Sequence, residues 1–370
     1  MRSTDYAIVG GGLVGMAIAW GLQRQGRRVT VFDEGDIAFR AARGNFGLVW
    51  VQGKGVGMPD YARWTRLSAS LWPAFADELE RETGTDLQLS GPGGLELCLT
   101  ENELDENTAE LSGLRAALGG DYPFERLDAG EARKLVPEAS PDIAGAIFGP
   151  EDRNCNPLYL LRALAQALVA GGGHIENGAP IHAIRPGSNG FTLDNGEQWG
   201  ASQVVLCAGL GNAALAPMVG LDAPVRPDRG QLLITERVKP FLDYPTVNVR
   251  QTGDGTIQIG ASHEDVGLND ASSPHVIGQI ASNAARIFPI LENVRVVRSW
   301  GALRVMSPDG HPIYDQSTAH PGAFLVTCHS GVTLAAAHAL VLARWIAGVD
   351  IDTPYLESFS AERYRLPQTG

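Results

Sequence analysis

Residues 6–34 read YAIVGGGLVGMAIAWGLQRQGRRVTVFDE, and the order of features in this stretch predicts the fold. The apolar residues 7–9 are typical of a buried strand, and residues 29–32 are typical of a second one. Between them lies an apolar helical pattern that ends at Gly26. A strand, a helix and a second strand in this order form the unit from which parallel sheets are built.

The turn between the first strand and the helix carries Gly10, Gly12 and Gly15 in the G-x-G-x-x-G spacing. The first glycine allows a tight turn, the second allows a pyrophosphate to approach, and the third lets helix and strand pack closely. Phosphates then lie at the helix N-terminus, where free N–H groups and the helix dipole favour negative charge. Asp33 ends the second strand, where an acidic side chain can bind ribose hydroxyls. An isolated motif would also suit a glycine-rich turn without a ligand, but this context predicts a dinucleotide site.

The composition is that of a soluble globular protein. Of its 370 residues, 44% are hydrophobic and 19% are charged, and a chain of this length favours two domains over one small core. Its formal net charge is −13, and no basic cluster offsets it. This charge disfavours binding to nucleic acid or to anionic membrane surfaces, and with it a function in RNA modification.

The four cysteines are far apart and form no C-x-x-C pair; they are Cys98, Cys155, Cys207 and Cys328. This spacing disfavours a disulfide framework and a zinc site, so we expect no metal, and it suits a reducing cytoplasm. No signal-peptide pattern precedes the first strand, so we expect a cytoplasmic protein. Residues 332–346 are apolar but short for a membrane span, and they predict a buried core helix.

Helical and strand-rich segments alternate along the rest of the chain. Helical periodicity marks residues 61–82, 101–118 and 277–288. We predict an α/β fold in which a Rossmann-like dinucleotide-binding domain is interrupted by an inserted α+β domain on a mixed or antiparallel sheet. The predicted boundaries assign residues 1–85, 151–225 and 299–370 to the dinucleotide-binding domain, and residues 86–150 and 226–298 to the inserted domain.

Nicotinamide and flavin domains share the glycine motif, and three features favour FAD. The motif lies at the N-terminus, and the chain returns to it with VVLCAGLG at residues 204–211 and again near the C-terminus. No second G-x-G-x-x-G follows a strand, although a flavoenzyme reduced by a nicotinamide would need one. A nicotinamide-dependent dehydrogenase is the alternative.

The chain resembles the D-amino-acid oxidase/glycine oxidase superfamily of flavoproteins over nearly its whole length. Four motifs carry the resemblance and occur in order: IVGGGLVGMAIAW at 8–20, PDRGQLLIT at 227–235, WGALRVMSPDGHPI at 300–313 and CHSGVTLA at 328–335. Residues 43–55, RGNFGLVWVQGKG, are most similar to the flavin-bearing β subunits of opine oxidases, D-hydroxyproline dehydrogenases and hydrogen cyanide synthase.

This resemblance implies FAD-dependent oxidation of a small amino or imino acid, such as an opine or a D-hydroxyproline-like secondary amine. Hydride would pass from the Cα–H to flavin N5 and the imine would hydrolyse in water, so the protein must mainly hold the substrate over the ring. The electron acceptor is open between oxygen, a quinone and a partner subunit in a hetero-oligomer. Two alternatives remain: a non-catalytic subunit that relays electrons or assembles a complex, and an oxygen-using glycine or sarcosine oxidase.

Arg304 is the leading candidate for binding the substrate carboxylate. It lies in the G-x-L-R context where the family has its carboxylate-binding arginine, and arginine offers a planar bidentate fork. Val305 follows it where many relatives have proline. Arg250, on a strand of the inserted domain, is the second candidate. An ion pair within the fold or a solvated strand end are the purely structural explanations.

His329 and His263 are the other catalytic candidates. His329 precedes Ser330 and Gly331 at the predicted start of the last helix, near residue 331, a turn that lies against the flavin ring in related flavoproteins. We expect backbone N–H groups in this turn to stabilise the negative charge of reduced flavin. A packed, hydrogen-bonded histidine is the alternative. His263 follows a strand and could reach the substrate, although a surface position is the favoured interpretation.

The loop at residues 43–47 and the strand ends supply the remaining expected cofactor contacts. Val305 and Met306 occupy the neighbourhood where some relatives carry an attachment cysteine, so we predict noncovalent FAD. The predicted FAD contacts are Gly10, Gly12, Leu13, Val14, Gly15, Asp33, Glu34, Arg43, Gly44, Asn45, Phe46, Gly47, Ala208, Gly209, Gly301, Arg304, Ser330, Gly331, Val332 and Thr333.

Overall fold

The computed structural model describes residues 2–35 and 41–365, without the side chain of Arg43. The strands are β1 (Arg2–Val9), β2 (Val29–Asp33), β3 (Leu48–Val49), β4 (Gly94–Cys98), β5 (Glu125–Asp128), β6 (Gly145–Gly149), β7 (Arg153–Asn154), β8 (His174–Asn177), β9 (Ala183–Gly187), β10 (Gly190–Asp194), β11 (Gln198–Leu206), β12 (Arg226–Arg237), β13 (Val249–Gln251), β14 (Thr256–Gly260), β15 (Val296–Met306), β16 (Ile313–Gln316) and β17 (Ala323–Thr327). The α-helices are α1 (Leu13–Arg24), α2 (Pro59–Thr83), α3 (Glu101–Ala117), α4 (Ala129–Leu135), α5 (Pro157–Ala170), α6 (Asn212–Leu215), α7 (Pro274–Ile287), α8 (Ala335–Ala337) and α9 (Ala343–Ile346).

A largely parallel sheet forms around the N-terminal strand. β1 pairs in parallel with β2 on one side and with β11 on the other, and β8 and β17 extend the sheet in parallel at its two sides. β16 is antiparallel to β17, and the β9–β10 hairpin is antiparallel to the first half of β11. The strand order through the centre is β16–β17–β11–β1–β2–β8. The ends of β1 and β2 therefore lie side by side, next to the glycine turn.

Both faces of this sheet are covered, which explains the unbroken apolar run of β1. Tyr6 and Ile8 pack into the core that contains α1, α2 and α5. Ala7 and Val9 point to the other face, into a second core with residues of β9, β10 and β11. Side chains on a strand alternate between its two faces, so a sheet buried on both sides requires apolar residues at every position.

A second sheet is antiparallel and has the order β13–β14–β12–β15. β12 and β15 pair along almost their whole length, with Asp228 opposite Arg304. On one face, Leu233 and Ile257 pack against α7 in a third core. Alternation turns Leu232 to the opposite face, which also carries Arg304 and lies towards residues 329–333.

The predicted α/β fold class is confirmed, with a parallel sheet and a separate antiparallel one. The helices predicted at 61–82, 101–118 and 277–288 are confirmed as α2, α3 and α7, within a few residues at each end. Gly84 ends α2 in the left-handed conformation, as a C-terminal glycine does. The domain boundaries stay a prediction; β15 runs across the boundary placed before residue 299.

The apolar segment near the C-terminus is buried, but its backbone is less regular than the sequence predicts. A turn at residues 331–334 precedes α8, and a π-helical segment, His338–Leu342, joins α8 to α9. His338 is fully buried there and shares a hydrogen bond with Tyr314 (2.8 Å). Within residues 2–35 and 41–365, no helix has both the length and the hydropathy to cross a membrane.

Candidate active site

The three glycines of the first turn are required for different structural reasons. Gly10 has φ +109°, and a Cβ there would lie 2.4 Å from the carbonyl oxygen of Cys207. A Cβ on Gly15 would lie 2.0 Å from the carbonyl oxygen of Gly10, so this glycine lets α1 pack against the turn. A Cβ on Gly12 would meet no atom within 4 Å. Gly12 therefore faces open space, as a residue beside a ligand does, whereas Gly10 and Gly15 serve the fold.

The open space beside Gly12 is a cleft of about 960 Å³, partly open to solvent, which we call the N-terminal cleft. It lies at the carboxyl ends of β1, β2 and β11, the edge where ligands bind in open α/β sheets. The predicted residues that line it are Gly10, Gly12, Leu13, Val14, Asp33, Glu34, Asn45, Ala208, Gly209, His329 and Gly331.

The carboxylate of Asp33 is bound to the glycine turn. It accepts hydrogen bonds from the backbone N–H of Gly11 (2.7 Å) and of Gly35 (2.8 Å), one on each oxygen. A carboxylate on two amides fixes the end of β2 against the turn. Glu34, the next residue, is exposed at the rim of the cleft. Asp33 is therefore a brace of the turn as well as a lining residue.

The turn after β17 presents backbone donors. The N–H groups of Gly331, Val332 and Thr333 make no hydrogen bond to any described residue, whereas the N–H of Leu334 donates to Ser330 (3.0 Å). Regular helix begins only at Ala335, four residues later than the predicted start near residue 331. The carbonyl of Thr333 instead accepts from the side chains of Ser68 (2.7 Å) and Trp72 (3.0 Å), and the N–H of Ala337 donates to the Ser68 hydroxyl rather than to that carbonyl. The hydroxyl group of Thr333 donates to the carbonyl of Leu48 and accepts from the N–H of Trp50.

A second cavity, of about 880 Å³, lies between this turn and the antiparallel sheet; we call it the inter-sheet cavity. It shares Ala41, Asn45 and His329 with the N-terminal cleft, so the two spaces adjoin. Its predicted lining residues are Gly44, Asn45, Phe46, Arg304, His329, Ser330, Val332 and Thr333. Lys54, Trp50, Leu232 and Val247 line it as well, and sequence reasoning did not select them.

Arg304 stands on the wall of the inter-sheet cavity. Its Nη1 donates to Oδ2 of Asp228 (3.0 Å) and to the carbonyl of Ser262 (2.9 Å), while Nε and Nη2 have no acceptor among the described residues. Gly230 makes room for it, since a Cβ there would lie 2.5 Å from Nη2. Burial lowers the pKa of Arg304, and Asp228 acts against that shift. One edge of the guanidinium is thus held and the other is available.

Arg250 is buried away from the cavity lining. Its Nε (3.1 Å) and Nη2 (2.7 Å) both donate to Oε1 of Gln258, and its guanidinium carbon lies 5.9 Å from the centre of the Phe46 ring. No carboxylate in the described part of the chain pairs with it. Burial lowers the pKa of Arg250 to about 10, which keeps it charged near neutral pH. Arg250 therefore supports the loop that carries Phe46 from behind.

His329 lies in a cluster with Lys54 and Ser330. Nζ of Lys54 lies 3.1 Å from Nε2 of His329 and donates to the hydroxyl oxygen of Ser330 over 3.0 Å. That oxygen also accepts from the hydroxyl group of Tyr61 (2.9 Å). Burial holds the pKa of His329 well below its usual range, and Lys54 and Arg304 add to this. His329 is therefore a neutral imidazole at neutral pH.

Lys54 is held in place by a backbone loop that Asp152 organises. Asp152 is fully buried and accepts hydrogen bonds from the backbone N–H groups of Val51 and Gln52. The hydroxyl group of Tyr122 donates to the carbonyl of Val51 (2.7 Å), and the N–H of Lys54 closes a turn onto the same carbonyl (3.0 Å). Burial raises the pKa of Asp152 to about 7, against these hydrogen bonds.

Several predicted site residues lie elsewhere in the structure. The His263 side chain is 73% exposed and its Nδ1 contacts Asp228 at 2.7 Å, outside the described lining of either space. A Cβ on Gly301 would strike the carbonyl of Asp270 at 2.4 Å, so this glycine accommodates the protein backbone. Gly47 (φ +86°) lies against the carbonyl of Cys155 in the same way. The side chain of Arg43 lies outside what the structure describes.

The sequence signal for Lys54 was present but weak. Lys54 follows a buried apolar run and lies between Gly53 and Gly55, which both have positive φ (+70° and +89°). A lysine held in a tight glycine turn directly after a buried segment has little freedom to reach bulk solvent. That pattern indicates a lysine with restricted freedom. Only the tertiary packing shows that its neighbours are residues 329–330.

Two thiols line the N-terminal cleft, those of Cys207 and Cys328. Burial raises the pKa of Cys328 to about 12 and that of Cys207 further still, so both are protonated and poorly nucleophilic. All four cysteines are free thiols. Within residues 2–35 and 41–365, no group of three or more His, Cys, Asp or Glu side chains is arranged so that it could hold a metal ion.

Comparison with known proteins agrees with this geometry. The family model described as DAO, FAD dependent oxidoreductase, matches residues 5–345. The chain is 42% identical to an opine oxidase subunit of Agrobacterium tumefaciens (strain Ach5) and 41% identical to the corresponding opine oxidase subunit of Rhizobium meliloti, over 100% of each chain in both comparisons. The crystal structure of glycine oxidase from Geobacillus kaustophilus superimposes with a TM-score of 0.90 at 27% identity, over 97% of this chain and 98% of that one. The chain therefore belongs to the DAO family of FAD-dependent oxidoreductases.

Proposed function

We propose that the protein oxidises a small amino acid or secondary-amine acid, with FAD in the N-terminal cleft and the substrate in the inter-sheet cavity. The observation that carries this proposal is that the two spaces meet at Asn45 and His329, while Arg304 lines the second of them. A substrate with its carboxylate on Arg304 would then have its Cα near the junction of the two spaces.

The residues of the N-terminal cleft fit a bound FAD. Gly12 caps α1 without a side-chain cap bond, so the first N–H groups of this helix are available to a pyrophosphate. A Cβ on Gly12 would intrude into that space. Asp33 and Glu34, at the end of β2, would face the ribose. When bound, FAD supplies the two-electron acceptor for a hydride from the substrate carbon.

The chain's own residues would bind and orient the reactants. The unpaired N–H groups of residues 331–333 would face the part of the ring that becomes negative on reduction, a role for preorganised backbone donors. Asn45 and Phe46 would lie against the ring at the junction of the two spaces. We propose that the cofactor is held without a covalent bond, since the two thiols of the cleft are protonated.

The inter-sheet cavity suits a substrate with one carboxylate and a small apolar body. Arg304 offers Nε and Nη2 to a carboxylate in bidentate form. Phe46, Leu232 and Val247 supply apolar wall. His329 and Lys54 supply polar groups for an amine nitrogen. This division of polar and apolar lining is what orients a small ligand in an enclosed site.

Within this class, we propose an opine or a related secondary amine as substrate. Two full-length relatives above 40% identity are named as opine oxidase subunits, whereas glycine oxidase of Geobacillus kaustophilus is 29% identical. That those relatives are subunits of an oxidase supports a hetero-oligomer, in which a partner subunit would receive the electrons. An enzyme that passes electrons directly to oxygen, as a glycine oxidase, is the second candidate.

An anaerobic reduction experiment tests the proposed function. The purified protein, reconstituted with FAD, would be titrated with octopine, D- and L-proline, hydroxyproline, sarcosine and glycine. We expect one of the secondary amines to bleach the flavin absorption band at about 450 nm, a wavelength typical of flavins. Flavin that none of these amines bleaches, in protein that binds FAD, would contradict the proposal and favour an electron-relay subunit.

Readmission of air to the reduced protein separates the two acceptors. We expect slow return of the yellow colour, because we propose a partner subunit or quinone as acceptor. Reoxidation as fast as turnover would identify an oxidase. Dithionite-reduced protein, with no product bound, is the matched control, since bound product can change the rate at which reduced flavin meets oxygen.

A further inference from the structure

The proposed function gives the lysine of the inter-sheet cavity no role beyond a polar contact to the amine. Nζ of Lys54 lines the cavity and has two side-chain neighbours, Nε2 of His329 (3.1 Å) and the hydroxyl of Ser330 (3.0 Å). No carboxylate of the described chain forms an ion pair with it. Lys54 is partly buried, and a partly buried lysine without a paired anion is destabilised in its charged form.

The loop of Lys54 is built to hold that side chain. Asp152 fixes the N–H groups of Val51 and Gln52, and Tyr122 fixes the carbonyl of Val51. Thr333 links the same loop to the C-terminal turn through Trp50. Lys54 is thereby fixed relative to His329 and Arg304, the residues of the proposed substrate site. Such fixed support is what a group that exchanges a proton with substrate requires.

The amine of the proposed substrate has to lose a proton before its carbon can give up a hydride. An ammonium nitrogen has no lone pair, and the C=N bond of the imine forms from that lone pair. Proton acceptance by a positioned side chain typically contributes about 10²- to 10⁴-fold to a rate. Arg304 cannot accept a proton in this pH range, and His329 has its ring in contact with Lys54.

We propose that the Nζ atom of Lys54 accepts the proton of the substrate ammonium group, with His329 and Ser330 holding the lysine in position. This inference rests on the proposed function. The N–H bond of the substrate breaks and a new N–H bond forms on neutral Lys54. The freed lone pair on the substrate nitrogen then forms the C=N bond as the Cα hydride, with its two electrons, passes to FAD. Substrate loses two electrons and FAD gains them.

The charges around Lys54 set the pH at which it can act. Burial lowers the pKa of Lys54 to about 8; Arg304 adds to the lowering, while Asp152 and Cys328 act against it. The step needs neutral Lys54, so the rate rises with pH through about 8 and is level above it. His329, Cys328 and Tyr61 have pKa values displaced far from this window. His311 also feels the charge of Lys54, and burial lowers its pKa from 6.5, away from this window. Among these described residues, Asp152, with a pKa of about 7, requires a control.

Anaerobic stopped-flow reduction of the FAD-loaded enzyme from pH 6 to 10 tests the inference, with the amine that bleaches the wild type. We expect the wild-type limiting rate to rise about tenfold per pH unit and then level near pH 8. We expect the pH profile of Lys54→Met to lose this break, and its limiting rate at pH 8 to be about 100-fold lower than that of the wild type. Lys54→Arg behaves likewise because arginine stays charged. Exposed Lys134→Met is the matched control and keeps the wild-type profile.

Asp152→Asn distinguishes the two groups that titrate in this range. If Lys54 is responsible, the variant keeps a break, but the break lies below pH 8 because the charge of Asp152 no longer raises the pKa of Lys54. Loss of the break in Asp152→Asn together with its retention in Lys54→Met would overturn the assignment. A Lys54→Met rate within about threefold of wild type, with the break unchanged, would also overturn it.

Binding of methoxyacetate gives a readout that does not depend on turnover. This ligand has an ether oxygen where sarcosine has its amine, so it cannot donate a proton. We expect its affinity, measured by the shift of the flavin spectrum, to fall as pH rises through 8 in the wild type and to be level in Lys54→Arg. A level wild-type profile would contradict the inference. A wild type that no amine reduces would instead remove the proposed function, and the inference with it.

Discussion

Nη1 of Arg304 donates to Oδ2 of Asp228 over 3.0 Å, across the pair of strands β12 and β15. Nδ1 of His263 contacts the same oxygen at 2.7 Å, and the backbone N–H of Glu264 donates to the other one (3.1 Å). Asp228 is therefore held by three contacts of its own and fixes the direction of Arg304. The Nε and Nη2 edge has no acceptor among the described residues and is available to a carboxylate.

Replacing Arg304 with Met should weaken the binding of small carboxylates by about 10- to 100-fold. A hydrogen bond to a charged partner contributes about 1.5 to 3 kcal/mol, and Met replaces the guanidinium group with a shorter, unbranched and uncharged side chain. The measurement is the dissociation constant of methoxyacetate from the shift of the flavin spectrum. Arg133→Met is the matched control, because Arg133 is exposed and lies outside the described cavity lining, and we expect less than a threefold change. Equal losses in both variants would contradict the assignment.

Gly12→Val and Gly10→Ala should fail in different ways. The side chain at position 12 enters the N-terminal cleft, so Gly12→Val is expected to fold normally and to lose at least about tenfold in FAD affinity. Ala at position 10 meets the carbonyl of Cys207 and a φ of +109°, so it should lower the melting temperature of the apoprotein. Gly26→Ala is the control: Gly26 has φ +74°, but its Cβ would enter open space. It therefore measures backbone strain without a steric clash. An apo Gly12→Val less stable than apo Gly10→Ala would contradict this division.

Asp152 should make stability depend on pH. Its pKa is raised from 3.8 to about 7 by burial, so its contribution to stability is complete below about pH 4 and is lost as pH rises to 7. We expect the free energy of unfolding of the wild type to fall relative to Asp152→Asn over this range, by a difference on the order of a few kcal/mol. Urea unfolding of both apoproteins at pH 5 and pH 7.5 measures it. Parallel changes in the two proteins would contradict the shifted pKa.

Acid precipitation should release all of the flavin. The two thiols in the N-terminal cleft are protonated, and Val305 and Met306 follow Arg304, so we expect no covalent link. Trichloroacetic acid precipitation of the yellow protein should leave its colour in the supernatant and none in the pellet. A coloured pellet would identify a covalent bond, and Cys328→Ser would then show whether that thiol forms it.

The sequence predicted the elements that follow from local periodicity. The run through β1, the glycine turn, α1 and β2 needed no distant contact to be recognised, because strands and helices impose fixed repeats on apolar residues. α2, α3 and α7 were predicted for the same reason. The start of the last helix was predicted less accurately, because the carbonyl of Thr333 is bound by the side chains of Ser68 and Trp72, which are about 260 positions away in the chain.

The predictions of the site succeeded where a residue's role follows from its backbone neighbourhood. Gly12 and Leu13, at the start of a helix after a strand, line the N-terminal cleft as expected. Gly301 and Gly47 were chosen as ligand contacts, yet both accommodate protein backbone. A glycine reports only that something lies close to it, and the sequence does not say whether that neighbour is a ligand or another strand.

The sequence by itself determined the βαβ unit, the FAD family and the candidates Arg304 and His329, because each depends on motifs of consecutive residues. Only the tertiary structure decided that Lys54 lies beside His329, that Arg250 lies behind Phe46, and that Asp228 orients Arg304. Those three relationships join residues from separate segments of the chain. The physical reason is that contacts across sheets depend on strand order and register, which local periodicity does not contain.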